Sequence, residues 1–210
     1  MFSRVFAFFF IISVAIAAIA QSALPVQGAG ESQFSLTDKH LKAVGLRFDK
    51  GVNSIRDFVQ QTATYKETQE IRLSWDAFPG MNSPITATEA SRLQISPKFV
   101  AMSRQFLADS PAHQADGHMY SDTFLFVATG KSGRVRGLVI QRDPRLMFLD
   151  TAGRRGRLTG GMLYKPKAEF ALRFPNSPDI KRVLVFQPRH NTTGYRLELL
   201  AAVDLKKIKQ

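Results

Sequence analysis

Cysteine is absent from this 210-residue chain. Its absence excludes disulfide bonds, thiolate ligands for a metal ion and a catalytic cysteine nucleophile. It also excludes attachment to a membrane through a lipid-modified cysteine. A small scaffold held together by disulfides is therefore excluded, and stability must come from a packed core, for which a mature chain of about 190 residues is long enough.

Long apolar runs are absent beyond the first twenty residues. Residues 1–20 have the pattern of a secretory signal peptide, with Arg4 before the apolar run Val5–Ile16 and the small residues Ala18-Ile19-Ala20 after it. An uncleaved anchor is disfavoured, because about sixteen apolar residues rise only about 24 Å as a helix and the hydrocarbon core is roughly 30 Å thick. We expect cleavage before Gln21 and a flexible lead over residues 21–33.

This prediction places the protein in the periplasm or outside the cell, with no transmembrane segment after signal cleavage. A single mainly-β domain is expected over residues 34–210, because about 190 residues suit one core. Within it, residues 81–118 form a turn-rich and helical excursion, since Pro84, Pro97 and Pro111 interrupt the apolar pattern.

Several local motifs of exported hydrolases are also missing. The chain has no G-x-S-x-G elbow, no S-x-x-K pair and no H-E-x-x-H helix. Gly130-Lys131-Ser132 resembles the end of a phosphate-binding loop, but the glycine required earlier would fall at Leu125, inside a predicted strand. We interpret this tripeptide as a turn. Catalysis by carboxylates that converge in three dimensions stays open, with Asp76, Asp109, Asp143 and Asp150 as candidates.

Alternating apolar residues predict mainly strands. We expect short strands in residues 34–48 and 70–75, and a weak helical pattern at Val52–Gln61. Further strands are predicted at Phe124–Val127, Val135–Ile140, Leu146–Leu149, Ala168–Phe174, Arg182–Phe186 and Tyr195–Val203. The first two of these would form a hairpin, and turn residues at Gly153–Gly161 separate later strands. The pattern favours an antiparallel β-sandwich, immunoglobulin-like or related.

One helix is expected near residues 97–108. Ser96 is a suitable N-cap and Pro97 suits the first helical position. The apolar residues that follow would form one stripe that packs on a sheet; they are Phe99, Val100, Met102, Phe106 and Leu107.

Positive charge is concentrated in the C-terminal part of the chain. Residues 131–210 hold eighteen Lys and Arg against six Asp and Glu, a net charge of +12, whereas residues 21–130 hold ten against eleven, a net charge of −1. Such asymmetry suggests a surface that attracts anionic polymers, an anionic lipid surface or another envelope protein. The candidate ligand-binding residues are Arg134, Arg136, Arg154, Arg155, Arg157, Lys165 and Lys167.

An alternative for these basic residues is protection of sheet edges, which often carry charges that prevent aggregation. Nucleic acid is disfavoured as a partner, because export would separate the protein from nucleic acid and because few aromatic residues lie among the basic ones. The sequence implies no cofactor.

His113, Asp116 and His118 form the one cluster with metal-ligand chemistry. Their spacing matches no known ligand pattern, and polar residues are common in loops. We therefore expect a non-catalytic binding or envelope-associated protein. The alternative is an exported hydrolase that uses a metal or carboxylates in residues 109–122.

Overall fold

The computed structural model describes residues 34–93, 98–109, 111–112, 117–152, 158–191 and 194–208. These residues form one compact unit of antiparallel sheets with three short α-helices. The helices are α1 (Asp38–Ala43), α2 (Ile55–Ala63) and α3 (Ala87–Arg92). The strands are β1 (Phe34–Ser35), β2 (Thr68–Asp76), β3 (Ile85–Thr86), β4 (Lys98–Leu107), β5 (His118–Met119), β6 (Thr123–Thr129), β7 (Val135–Arg142), β8 (Leu146–Ala152), β9 (Leu158–Tyr164), β10 (Lys167–Pro175), β11 (Arg182–Asn191) and β12 (Gly194–Asp204). The mainly β prediction is confirmed.

Two sheets share the larger hydrophobic core. Their strand orders are β10-β2-β4 and β12-β11-β6-β7. Alternate residues of a strand face the same side, and β2 accordingly buries Ile71, Leu73 and Trp75 in this core. Phe126 of β6 and Phe174 of β10 belong to the same cluster. The strand predicted at residues 70–75 and the β6–β7 hairpin are confirmed.

A second core lies on the other face of the four-stranded sheet. Every residue of β6 is buried, because Phe126 faces the first core and Leu125 faces the second. Leu41 of α1 and Phe58 of α2 close the second core. The weak helical pattern at Val52–Gln61 therefore identified α2 correctly.

The helix predicted near residues 97–108 is wrong, because β4 occupies this segment. β4 pairs with β2 from Lys98 opposite Asp76 to Leu107 opposite Thr68. Phe99 packs on the indole of Trp75, with ring centres 4.7 Å apart, whereas Met102 and Phe106 are exposed. The spacing of the apolar residues is compatible with a helix, but hydrogen bonding to the edge of β2 stabilises the segment as a strand. The proposed cap, Ser96 and Pro97, lies outside the described residues.

Two further segments differ from the sequence interpretation. Residues 34–48 contain the two-residue β1 and then helix α1, where alternation suggested a strand. The Gly-rich stretch predicted as a turn ends earlier than expected, because β9 begins at Leu158 and pairs with β8 through Gly160 and Gly161. The excursion over residues 81–118 does contain a helix, but at α3, where Thr86 and Glu89 form a reciprocal capping box.

A third sheet, in the order β3-β9-β8, is joined to the four-stranded sheet by the turn between β7 and β8. Asp143 and Pro144 occupy positions that suit a type I turn, and the amide of Leu146 donates to the carbonyl of Asp143 at 3.1 Å. This turn and α3 border a polar cavity that is described below. None of the helices in the described ranges is long and apolar enough to span a bilayer.

Candidate functional site

Arg134 and Arg136 are brought together, but acidic residues hold both of them. Arg136 Nε donates to both carboxylate oxygens of Asp179 at 2.8–2.9 Å, and its Nη1 pairs with Asp49. Arg134 Nη1 donates to the same Asp49 at 2.9 Å. The hydrogen bond from Arg134 and the charge of Arg136 hold the pKa of Asp49 below its ordinary value, although burial opposes this. These two arginines therefore tie β7 to its neighbouring loops, and much of their charge is compensated locally.

Lys165 and Lys167 are exposed on either side of Pro166, where the chain passes from β9 into the first residue of β10. They border a shallow depression together with Asp76 and Met147. Arg154, Arg155 and Arg157 lie outside the described residues, in the sequence that connects β8 to β9. The ligand-binding role of all these residues stays a prediction.

The hairpin formed by β8 and β9 carries an exposed apolar pair that the sequence analysis missed. Phe148 and Met162 lie opposite each other in the register, and they expose 63% and 52% of their surface. β8 is the outer strand of its sheet. Opposed residues on antiparallel strands share one face, so these two side chains form a continuous apolar surface. Period-two alternation in Leu146–Leu149 was visible, but the partner strand was interpreted as a turn.

A cavity of about 470 Å³ lies between the third sheet, α3 and the open ends of β6 and β11. Its polar side contains a buried ion pair, in which Arg145 Nε and Nη2 donate to the two carboxylate oxygens of Asp143 at 3.0 and 2.6 Å. The backbone amide of Arg145 also donates to Asp143, at 2.9 Å. Asp143 is 6% exposed, and this bidentate geometry is the strong form of an arginine–carboxylate contact.

Three aromatic rings surround the guanidinium group of Arg145. Its central carbon lies 3.8 Å from the ring centre of Trp75, 5.3 Å from that of Tyr164 and 5.5 Å from that of Phe78. Cation–π contacts of this kind strengthen when water is excluded. The ion pair and the rings together hold the β7–β8 turn against β2 and β9.

Other polar groups line the same cavity. Asp122 forms an ion pair with Arg142, whose Nε lies 3.4 Å from Oδ2, and Arg189 Nε donates to Glu198 at 2.7 Å. Burial raises the pKa of Tyr164, and the negative charge of Asp143 adds to this effect. The phenol therefore stays protonated at neutral pH and can donate a hydrogen bond.

Two buried polar atoms at the cavity have no protein partner within the described ranges. They are Nε1 of Trp75, a donor, and Oδ1 of Asp122, an acceptor. A buried polar atom without a partner costs about 1–3 kcal/mol, so such atoms mark places where a further group is expected to bind.

The predicted metal cluster lies mostly outside the described residues, which include His118 but neither His113 nor Asp116. His118 belongs to β5 and is paired with Ser35 of β1. Within the described ranges, no group of three histidine, aspartate or glutamate residues is placed to hold a metal ion.

The sequence analysis considered Asp143 as a candidate carboxylate, but it preferred a turn residue. Arg145 was counted only as part of the basic half. The dipeptide Asp143-Pro144 gave a turn signal, whereas the contact of Arg145 with Trp75 joins segments about 70 residues apart and has no local signature. Comparison with known proteins gives no assignment, since no protein-family model, no curated protein and no solved structure matches this chain.

Proposed function

We propose that this chain is an exported, non-catalytic, envelope-associated protein that binds an anionic lipid surface through its basic C-terminal half. The observation that carries the proposal is the exposed pair Phe148 and Met162 on the β8–β9 hairpin. Export to the periplasm or the extracellular space is supported by the signal-peptide pattern of residues 1–20.

The apolar pair supplies an attraction that charge alone does not give. Burying a side chain such as phenylalanine or methionine contributes roughly 1.5–3 kcal/mol when it is complete. Exposed apolar surface that adjoins polar residues is typical of sites that contact a membrane or a protein. Phe148 and Met162 can enter the interfacial region of a bilayer together, because they lie on one face of the hairpin.

Basic residues accompany the hairpin in sequence. Arg154, Arg155 and Arg157 connect its two strands, and Lys165 and Lys167 follow β9. Each basic residue near an anionic membrane contributes about 1 kcal/mol. An anionic polymer would satisfy the charges but would offer no apolar phase for Phe148. This difference favours lipid over the polymer.

The test is co-sedimentation with vesicles of phosphatidylcholine, with and without phosphatidylglycerol, across a salt series. Wild-type protein should bind only the anionic vesicles, and less at 0.15 M salt, where the Debye length falls to about 8 Å from about 30 Å at 0.01 M. The double variant Phe148→Ser/Met162→Ser should bind roughly tenfold or more weakly, because two buried side chains are lost.

A closely matched control is Phe106→Ser/Met102→Ser on β4, which removes the same residue types at 56% and 48% exposure. This control should bind vesicles like wild type. Charge reversal at Arg154, Arg155 and Arg157 should weaken binding more than reversal at Lys39, Lys42 and Arg47. Absence of vesicle binding at low salt, or equal losses in both double variants, would overturn the proposal. Binding to heparin that is unchanged in Phe148→Ser/Met162→Ser, without vesicle binding, would identify an anionic polymer as the partner.

The finer fold assignment is also a proposal. We propose that the two sheets sharing the larger core form a β-sandwich of an immunoglobulin-related kind. The order β12-β11-β6-β7, with two hairpins side by side, supports this interpretation. The opposite, three-stranded sheet differs from this family: its central strand, β2, comes first in the chain, whereas the central strand of the three-stranded C-F-G sheet of immunoglobulin constant domains is F, the sixth of seven.

A hydrolase is the second candidate function, favoured by one observation. Asp122, from the segment 109–122, and Asp143 line the same cavity, as a carboxylate-dependent mechanism requires. Both carboxylates are held by arginine, however, and Asp143 receives three hydrogen bonds from Arg145. The oxygens of Asp143 are therefore already occupied by Arg145 and are not free to contact a substrate. Release of reducing sugar from a polysaccharide, lost in Asp122→Asn, would establish this alternative.

A further inference from the structure

We infer that the cavity bounded by Trp75, Asp122 and Arg145 is a binding pocket for a neutral, hydroxyl-rich ligand, such as one or two sugar units. This inference concerns a different surface from the β8–β9 hairpin, and it holds whether or not the hairpin binds lipid. Its volume of about 470 Å³ falls within the range of roughly 300–1,000 Å³ that is usual for small-molecule sites.

The charges around the cavity favour a neutral ligand. Arg145 is paired with Asp143, Arg189 with Glu198, and Arg142 with Asp122. Each charge therefore has a partner of opposite sign within 4 Å. An anionic or cationic ligand would have to compete with one of these pairs, whereas a hydroxyl group can add to them.

The polar atoms of the lining that are not part of these ion pairs include both hydrogen-bond donors and hydrogen-bond acceptors. Trp75 Nε1, a donor, and Asp122 Oδ1, an acceptor, are covered atoms of lining residues without a described partner, and a ligand would reach them after a small movement of the side chains around them. Ser121 and Gln187, which also line the cavity, can donate and accept. A hydroxyl group donates and accepts at the same atom, so a ligand that carries several hydroxyl groups matches this mixed set.

The opposite side of the cavity is apolar and has small side chains. Ala87 and Ala90 of α3 face it together with Leu93 and Leu200. Sugar rings present C–H faces between their hydroxyl groups, and these faces pack on apolar surface without losing hydrogen bonds. The small side chains of Ala87 and Ala90 leave space beside the aromatic wall, and that space can be closed by a larger residue at position 90.

Trp75 is the single tryptophan of the chain, so its fluorescence and its indole N–H resonance report directly on this cavity. The probes are maltose, cellobiose, trehalose and the disaccharide of N-acetylglucosamine, with inorganic phosphate as an anionic comparator and choline as a cationic one. At least one neutral disaccharide should shift the Trp75 indole resonance and change its emission in a saturable way. Phosphate and choline should not.

Two variants test the location. Ala90→Phe fills the cavity and should weaken disaccharide binding about tenfold or more, whereas Ala43→Phe, on the exposed side of α1, should leave it unchanged. Asp122→Leu removes the buried acceptor and should also weaken binding about tenfold, with Glu169→Leu as the exposed control.

Far-UV circular dichroism and the unfolding midpoint identify any variant that fails to fold. If Ala90→Phe does not fold, the binding measured for Asp122→Leu decides whether the cavity is the binding site. No saturable response to any of the neutral disaccharides, or a response that both Ala90→Phe and Asp122→Leu retain, would overturn the inference. A saturable response to phosphate alone would overturn it as well.

Discussion

Glu70 is the third residue of β2, and its carboxylate is buried among polar partners. Arg173 of β10 lies directly opposite and donates Nε at 3.2 Å, and Arg72 donates Nε to the other oxygen at 3.2 Å. Gln105 of β4 adds a longer contact at 3.4 Å. Burial raises the pKa of Glu70, but the hydrogen bonds from Arg173 and Arg72 outweigh this effect and hold it below its ordinary value.

The lowered pKa predicts an acid-sensitive contribution to stability. A carboxylate whose pKa is lower in the folded state than in the unfolded state stabilises the folded state. This stabilisation is complete at pH values above the unfolded-state pKa of about 4.3, and it is lost as the pH falls through the folded-state pKa. Glu70→Gln should lower the free energy of unfolding at pH 7 by about 1–3 kcal/mol. The difference from wild type should shrink as the pH is lowered below 4. Urea unfolding at a series of pH values measures both effects.

Glu169→Gln is the matched control for Glu70→Gln, because Glu169 is exposed on the neighbouring strand β10. It should change stability by less than about 0.5 kcal/mol at every pH. A Glu70→Gln difference that stays constant between pH 7 and acid would show that the exchange of a hydrogen-bond acceptor for a donor, and not ionisation, explains the effect.

The candidate site shows what single residues reveal in the sequence. Asp143 and Pro144 gave a turn signal because aspartate and proline suit the first two positions of a type I turn, and the turn is present. Nothing near Arg145 in the chain indicates its contacts with Trp75 and Tyr164. Those contacts depend on how β2, β9 and the β7–β8 turn pack, which no local pattern specifies.

Among the elements, strands whose apolar residues alternate strictly were predicted well. Strands whose conformation depends on pairing with a neighbouring strand were not. The hairpin β6–β7 and the strands β10, β11 and β12 match the predicted segments. β4 was predicted as a helix, because Phe99, Met102 and Phe106 fit a spacing of three and four residues. The pairing of β4 with β2 gives it nine backbone positions in register, and tertiary context of this kind overrides a weak helical pattern.

The contact between β7 and β10 is a second feature at this scale, and it predicts a destabilising substitution. A Cβ atom at Gly137 would lie 2.5 Å from Cδ1 of Phe174 and 3.1 Å from its Cβ. Phe174 is fully buried, so it has no space to move away. Gly137→Ala should therefore destabilise the fold by about 1–3 kcal/mol through overpacking, as measured by urea unfolding.

Gly161→Ala on β9 is the control for this substitution. No atom lies within 4 Å of a Cβ built at Gly161, so the alanine meets open space. Its stability should be unchanged or raised by up to about 1 kcal/mol, because alanine restricts the unfolded chain. Equal losses for Gly137→Ala and Gly161→Ala would argue against close packing of β7 on β10.

For the whole molecule, the predicted export gives a direct expectation. The mature protein should begin at Gln21, because small residues at Ala18 and Ala20 follow an apolar segment. N-terminal sequencing of protein recovered from the culture medium or the periplasmic fraction measures this. An intact N-terminus that begins at Met1 in the membrane fraction would show an anchor instead.

The second core joins the two ends of the described chain. Phe34 of β1 stacks on Tyr195 of β12, with ring centres 4.6 Å apart, although about 160 residues separate them. Contact order is therefore high, and chains dominated by non-local pairing fold in milliseconds to seconds, not microseconds. Helices α1 and α2 pack on a surface that β6, β7, β11 and β12 build together, so we expect both helices to dock after these strands have assembled. The segment that contains α1 and α2 is therefore expected to dock late in folding, although it is synthesised before the strands on which it packs.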